Sequence, residues 1–240
     1  MEEKLSGIVL SGVNYGESDK IINIFTPEKG VVSAKMKSVK KAGAKLKFAS
    51  EPFCFVEFVF SIGKVGRTVI GASLIDSFYP IRLDINKLYS ASAILTFARK
   101  FCRENIDCQD VFLLAVNALK NIAYGQGETA FYLLEFLCKA LYYSGYALDV
   151  SDCCDREKTR QDKVFFDYHT GSFYCEECYS GGGREILNET YQAIKSAMAG
   201  QVVGAECAVK GLKLIDFYLE NKTDVNIEPL KEIIKIYAKK

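Results

Sequence analysis

The chain has almost no net charge, a single histidine, no apolar run approaching the roughly 20 residues of a membrane-spanning helix, and no P-loop glycine motif. Lys and Arg number 31 against 30 Asp and Glu, so attraction to a polyanion has to come from local clustering. With His169 the lone histidine, a Cys-His nucleophilic pair would have to use it, with Cys154, Cys175 or Cys178 as the thiolate; an enzyme is not expected. Gly181-Gly182-Gly183, ending in Arg184, reads as a connector and not a nucleotide site. The start, MEEKLSGIVLSG, has neither the basic segment nor the apolar core of a secretory signal, which makes the cytoplasm the expected location. Nine cysteines could suggest a disulfide framework, but the count is odd and the chain is long, so reduced thiols are expected. Cys54, Cys102, Cys108, Cys138 and Cys207 read as small buried hydrophobes. No internal repeat or low-complexity segment appears.

What is present changes character near Pro80. Before it, Val-, Ile- and Phe-rich segments alternate with glycine-bearing turns, predicting strands at Leu5 to Val13, Lys20 to Thr26, Gly30 to Lys37, Phe53 to Ser61 and Arg67 to Ile75. Five short strands suit a small barrel. After Asp84, a helix N-cap, the period lengthens: Leu88, Ala91, Leu95, Ala98 and Phe101 share one face. Further helices are predicted at Phe112 to Ile122, Thr129 to Tyr143, Asn188 to Met198, Cys207 to Glu220 and Glu228 to Ala238. The stripe Phe131, Leu134, Cys138 and Leu141 is assigned to the core. The fold class is therefore α+β, with a barrel domain at residues 1–80, an all-α domain at 81–240, and a Cys-rich insertion at 150–183.

Between the third and fourth strands lies the one concentrated charge. Lys35, Lys37, Lys40, Lys41, Lys45 and Lys47 occur with no acid among them, while the rest of the chain must be mildly acidic. Lysine is a compact, mobile cation that follows a phosphate backbone without selecting sequence. These six are the leading candidates for contact with DNA, and Lys64 and Arg67 extend the set. The bland reading, a solvated loop, is disfavoured by the missing acids. Phe48, Phe53, Phe55 and Phe58 are assigned mostly to the core, and Tyr15 is the better candidate for an exposed ring.

Residues 152–178 form a separate module, in which Lys163 to Phe166 and Ser172 to Tyr174 are the arms of a hairpin turning at His169 to Gly171. Cys175-x-x-Cys178 has the spacing at which two thiolates take two corners of a zinc tetrahedron. Its counterpart is irregular, because Cys153 and Cys154 are adjacent and position 151 is Ser151. Three outcomes stay open: a site of Cys153, Cys154, Cys175 and Cys178, three thiolates with His169 or a carboxylate, or no metal. Any zinc held this way would be structural.

Taken in order, these features resemble the RecO family of bacterial DNA-repair and recombination mediators. The likeness is carried by Tyr15-Gly16-Glu17-Ser18-Asp19, an apolar strand ending Phe25-Thr26-Pro27, and Gly30 opening a strand that leads to a basic loop. It continues through Leu137-Cys138, Gly145-Tyr146, Leu148-Asp149, Cys154, Gly171 and Cys175-x-x-Cys178, departing at Ser151, where many relatives carry a zinc ligand. The resemblance implies an N-terminal OB-fold barrel followed by a helical domain carrying a zinc-finger-like hairpin. It also implies binding of single- and double-stranded DNA and annealing of complementary strands. The implied partners are RecR, the C-terminal tail of the single-stranded DNA-binding protein SSB and, indirectly, RecA, which is loaded onto SSB-coated DNA in the RecF pathway. No membrane association is implied, and the location would be the cytoplasm, near the nucleoid. The alternative is an OB and zinc-ribbon module that binds RNA or protein without annealing.

Overall fold

A computed structural model describes residues 1–64, 66–151 and 163–239. The first part is a closed barrel of strands β1 (Glu2–Tyr15), β2 (Asp19–Thr26), β3 (Gly30–Met36), β4 (Phe55–Gly63) and β5 (Gly66–Asp76), in the order β1-β2-β3-β5-β4. All neighbours are antiparallel except β3 and β5, which meet in parallel at Ala34↔Arg67 and Lys35↔Thr68. Apolar residues alternate along these strands because one face fills the barrel. The filling includes Leu5, Val9, Ile22, Ile24, Val32, Met36, Val56, Phe58 and Phe60. Alternation fails in β1, where Gly7 to Leu10 are all buried. There the outer face is covered as well, and Ile8, Leu10 and Phe25 belong to the core of the helices.

Among the described residues the α-helices are α1 (Ile85–Phe101), α2 (Gln109–Tyr124), α3 (Thr129–Tyr143), α4 (Asn188–Met198), α5 (Ala205–Thr223) and α6 (Glu228–Ala238). Asp84 caps α1 as expected, its side chain accepting the Lys87 amide at 2.9 Å. Phe131, Leu134, Cys138 and Leu141 all lie in the core. Phe112 of α2 meets the barrel edge-on through Phe25 and Phe55, at centroid distances of 5.3 and 5.7 Å.

The hairpin is present as β6 (Lys163–Asp167) and β7 (Ser172–Cys175), and a further strand joins it. Gly181 and Gly182, both at positive φ, turn the chain into β8 (Arg184–Leu187), which pairs with the free edge of β6. The order is β7-β6-β8, so the module is a small sheet whose last strand lies beyond the expected limit at residue 183. Phe166 and Phe173 carry its inner face into the helical core.

One side chain fastens the barrel to the helices. Arg82, in the turn before α1, donates to the carbonyls of Ser77 at 2.7 Å and Pro52 at 2.5 Å, and lies over the Phe53 ring. Each carbonyl precedes a buried phenylalanine in the left-handed region, Phe78 at φ 43° and Phe53 at φ 72°. Such conformations cost about 1–3 kcal/mol each and persist only where surroundings impose them. Arg82→Ala is therefore expected to lower stability by about 2–4 kcal/mol, since it leaves two carbonyls without their charged donor. Arg82→Lys should recover only part of the loss, because an ammonium cannot span both acceptors. Urea unfolding measures both; an Arg82→Ala midpoint equal to that of the parent would refute the fastening role.

Candidate nucleic-acid interface

The chain leaves β3 at Met36 and returns at Phe55, and the connection between them carries most of the sequence-predicted cations. Its anchors are apolar: Val39 and Ala49 are buried, and Leu46 and Phe48 pack against the barrel core. Successive turns hold the backbone, with Ala44 N donating to Lys41 O at 3.1 Å and Lys47 N to Ala44 O at 3.2 Å, before a 3-10 turn at Lys47–Ser50. Two further bonds tie it to the β1–β2 turn: Ser38 N donates to Asp19 Oδ1 at 2.7 Å, and Lys40 N to Ser18 O at 3.0 Å. With the apolar positions turned inward, Lys37, Lys40, Lys41, Lys45 and Lys47 are exposed. None of the five forms an ion pair among the described residues.

The other candidates stand differently. Lys35 lies on β3 and not in the loop, 3.0 Å from Asp19 Oδ2, with its ammonium 4.6 Å from the centre of the Tyr15 ring. The Ser38 amide and Lys35 together hold the Asp19 carboxyl below its usual range. Arg67 is the most enclosed cation of the group, its side chain 16% exposed between Glu3 at 3.0 Å and Glu104 at 2.8 Å. It serves as an internal tie. Lys64 is exposed in the β4–β5 turn, which adjoins the end of β3 where the barrel closes.

Tyr15 is 53% exposed, as expected of a candidate ring. Sequence reasoning missed its surroundings. On the outer barrel surface Val13, Ile21, Lys35 and Thr68 stand in register across four strands, beside a hydrogen-bonded ladder from Ser33 through Asn23 to Ser11. Tyr15, Ile21, Ser33, Lys35 and Arg67 line a groove of about 390 Å³ there. The alternate phase of β2 and β3, Ile21, Asn23, Ser33 and Lys35, was the available signal. Phe53 and Phe58 are buried, the first against the helices and the second inside the barrel, as core aromatics should be.

Of the proposed zinc ligands, Cys175 is buried at the end of β7 and Cys178 is half-buried after it. Cys153 and Cys154 lie outside the described residues. Among the described residues no group of three or more metal-binding side chains comes together. His169 is exposed in the hairpin turn, its amide donating to Asp167 Oδ1 at 2.8 Å.

Glu3 sets the electrostatics beside the groove. Burial alone would raise its carboxyl, but hydrogen bonds and charge from Lys29 and Arg67 outweigh this and hold it below the usual range. A carboxyl lowered on folding stabilises the protein above its unfolded value of about 4.3, and that contribution is lost as pH falls through the folded value. Glu3→Gln should therefore cost about 1–3 kcal/mol at neutral pH, and the difference from the parent should vanish in acid. Unfolding midpoints measured between neutral pH and strong acid test this; a pH-independent difference would contradict it.

Comparison with known proteins agrees with this architecture. The family model for "Recombination protein O N terminal" matches residues 1–78, and that for "Recombination protein O C terminal" matches residues 82–227. The "DNA repair protein RecO" of Acetivibrio thermocellus is 32% identical over 175 residues, covering 73% of this chain and 70% of the relative. That of Desulforamulus reducens is 29% identical over 234 residues, 91% of this chain and 90% of the relative. The Caldicellulosiruptor saccharolyticus protein is 29% identical over 192 residues, 80% and 78% of the two chains. With both halves matched by the family's models, the chain belongs to the RecO family of DNA repair and recombination proteins.

Proposed function

We propose that this chain is a recombination mediator without catalytic chemistry, which binds single- and double-stranded DNA, anneals complementary strands and, with RecR, helps load RecA onto SSB-coated single strands. The observation that carries the reading is the pinned loop with Lys37, Lys40, Lys41, Lys45 and Lys47 exposed and unpaired among the described residues. Backbone bonds fix where the loop sits, so little backbone order has to be gained on binding. Lysines leave sequence unread, as annealing of arbitrary complements requires. Lys64 extends this surface. Lys35 and Arg67 contribute only after giving up Asp19, or Glu3 and Glu104, and rank below the loop.

For the partners, the reading assigns DNA to residues 1–80 and protein recruitment to residues 81–240. An acidic, apolar-ended tail such as that of SSB needs a groove with a cation at its rim. Leu10, Phe53, Leu88, Leu95 and Pro229 line one of about 370 Å³ with Arg99 among them. Among the described residues no helix is long and apolar enough to cross a membrane.

Annealing of complementary strands, bare and SSB-coated, tests the mediator reading; failure on bare strands would overturn it. Replacing Lys40, Lys41, Lys45 and Lys47 by glutamate should remove most DNA affinity. The slope of log affinity against log salt for single strands should shrink by roughly 3. Unchanged binding would move the interface off this loop.

The zinc proposal rests on Cys175 and Cys178, which offer half of a thiolate tetrahedron at the edge of the small sheet, with Cys153 and Cys154 as the other half. Zinc there would supply folding energy alone. Purified protein is expected to carry about one zinc per chain, and Cys175→Ser or a chelator should lower the unfolding midpoint through loss of that metal. Metal-free protein whose midpoint a chelator leaves in place would remove zinc from this fold.

A further inference from the structure

The connection between α1 and α2 has chemistry that DNA binding does not use. Cys102 ends α1, its amide donating to Ala98 O at 2.9 Å, and Cys108 precedes α2, its amide donating to Pro27 O at 2.8 Å. Beyond the burial that raises both, each thiol bears on the other, Cys108 raising Cys102 further and Cys102 favouring the thiolate of Cys108. The residues between them grip the barrel. Asn105 N donates to Lys29 O at 3.0 Å, Glu104 pairs with Arg67 at 2.8 Å, and Gly30 lies so close to the Arg103 carbonyl that a Cβ there would collide with it. Both thiols line a cavity of about 610 Å³ that Asp107, Asp110, Tyr143 and Ser144 help to form. Cys138, by contrast, is fully buried in the helical core.

We propose that Cys102 and Cys108 are an oxidisable thiol pair, which a low-molecular-weight disulfide entering this cavity converts to an intramolecular disulfide, closing the barrel-gripping loop covalently. Cys108 is the more accessible thiol, and the influence of Cys102 favours its thiolate. It gives its proton to solvent and attacks one sulfur of the reagent. The reagent's S–S bond breaks and one thiolate leaves. Cys102 then loses its proton, attacks the Cys108 sulfur of the mixed disulfide and expels the second thiolate. The two cysteines lose two electrons in all, and the reagent takes up both electrons and two protons to end as two thiols. Burial pushes both cysteines above the ordinary thiol range, Cys102 further, so the exchange is slow and the reagent is supplied in excess over hours. The inference is independent of the mediator reading, since its test contains no DNA.

The full chain is incubated under native conditions with oxidised glutathione, quenched with an alkylating agent and digested with trypsin. Cleavage after Lys100, Arg103 and Lys120 places the thiols on separate peptides, residues 101–103 and 104–120. The expected product is these two peptides joined, lighter by two hydrogen atoms than their reduced sum and separated by reductant. A higher urea midpoint than that of the reduced chain should accompany it, since the bridge constrains the unfolded state. Cys102→Ser and Cys108→Ser should each lack the joined product, and the parent map decides the question even if a variant fails to fold. Three results would overturn the proposal: recovery of both thiols alkylated while the half-buried Cys207 in the same sample carries glutathione, pairing of either thiol mainly with another cysteine, or an unchanged or lowered midpoint in the bridged chain.

Discussion

Barrel closure rests on a short parallel contact between β3 and β5, and much of the rest follows from it. Parallel neighbours cannot be joined by a tight turn, so the chain must leave β3, cross the end of the barrel and enter β4 before β5 can pair back. That crossing passes over an open end of the core and has to seal it. Val39, Leu46, Phe48 and Ala49 do so, and the remaining positions of the connection are left to face solvent. Those positions carry the lysines. The positive surface is thus a consequence of how this barrel is plugged, and its backbone is as ordered as the plug.

Charge on the barrel is sorted by its surroundings. Where strands bring acids across from other parts of the chain, the cations are consumed: Lys35 by Asp19, Lys20 by Glu51 at 3.6 Å, Lys29 by Glu3, and Arg67 by Glu3 and Glu104. Lys37, Lys40, Lys41, Lys45 and Lys47 of the loop pair with no acid among the described residues, and these five keep their charge for an external anion. A formal net charge of +1 therefore conceals a division between a neutralised wall and a cationic end. Long-range attraction from such a patch depends on salt, as expected of a partner gripped by its phosphates.

The joint between barrel and helices is built on two sides. On one, Arg82 holds two phenylalanines in left-handed backbone and sets them in the shared core. On the other, the α1–α2 connection lies against the β2–β3 turn through Asn105 and Cys108. Phe112 packs between them on Phe25 and Phe55. This explains why β1 loses its alternation midway: a strand with one face in the barrel and the other under helices has no solvent side left to mark with polar residues.

Period and turn chemistry are local, and they were enough to specify five strands, six helices, the Asp84 cap and the hairpin, with α3, α4 and α6 having the predicted limits. The clustering of lysines without acids was equally visible, as was the order of motifs that identifies the family. Tertiary structure alone decided which cations remain available, because Arg67 meets a carboxylate 64 residues away and no window of sequence contains both. It also decided the β8 edge strand, the groove beside Tyr15 and the placing of Cys102 and Cys108 on one cavity. A four-residue strand signals weakly by itself and forms here because β6 offers it an open edge. Local propensity writes the elements into the chain, whereas pairing of charges and edges depends on distances that exist only once the barrel has closed and the helices have docked.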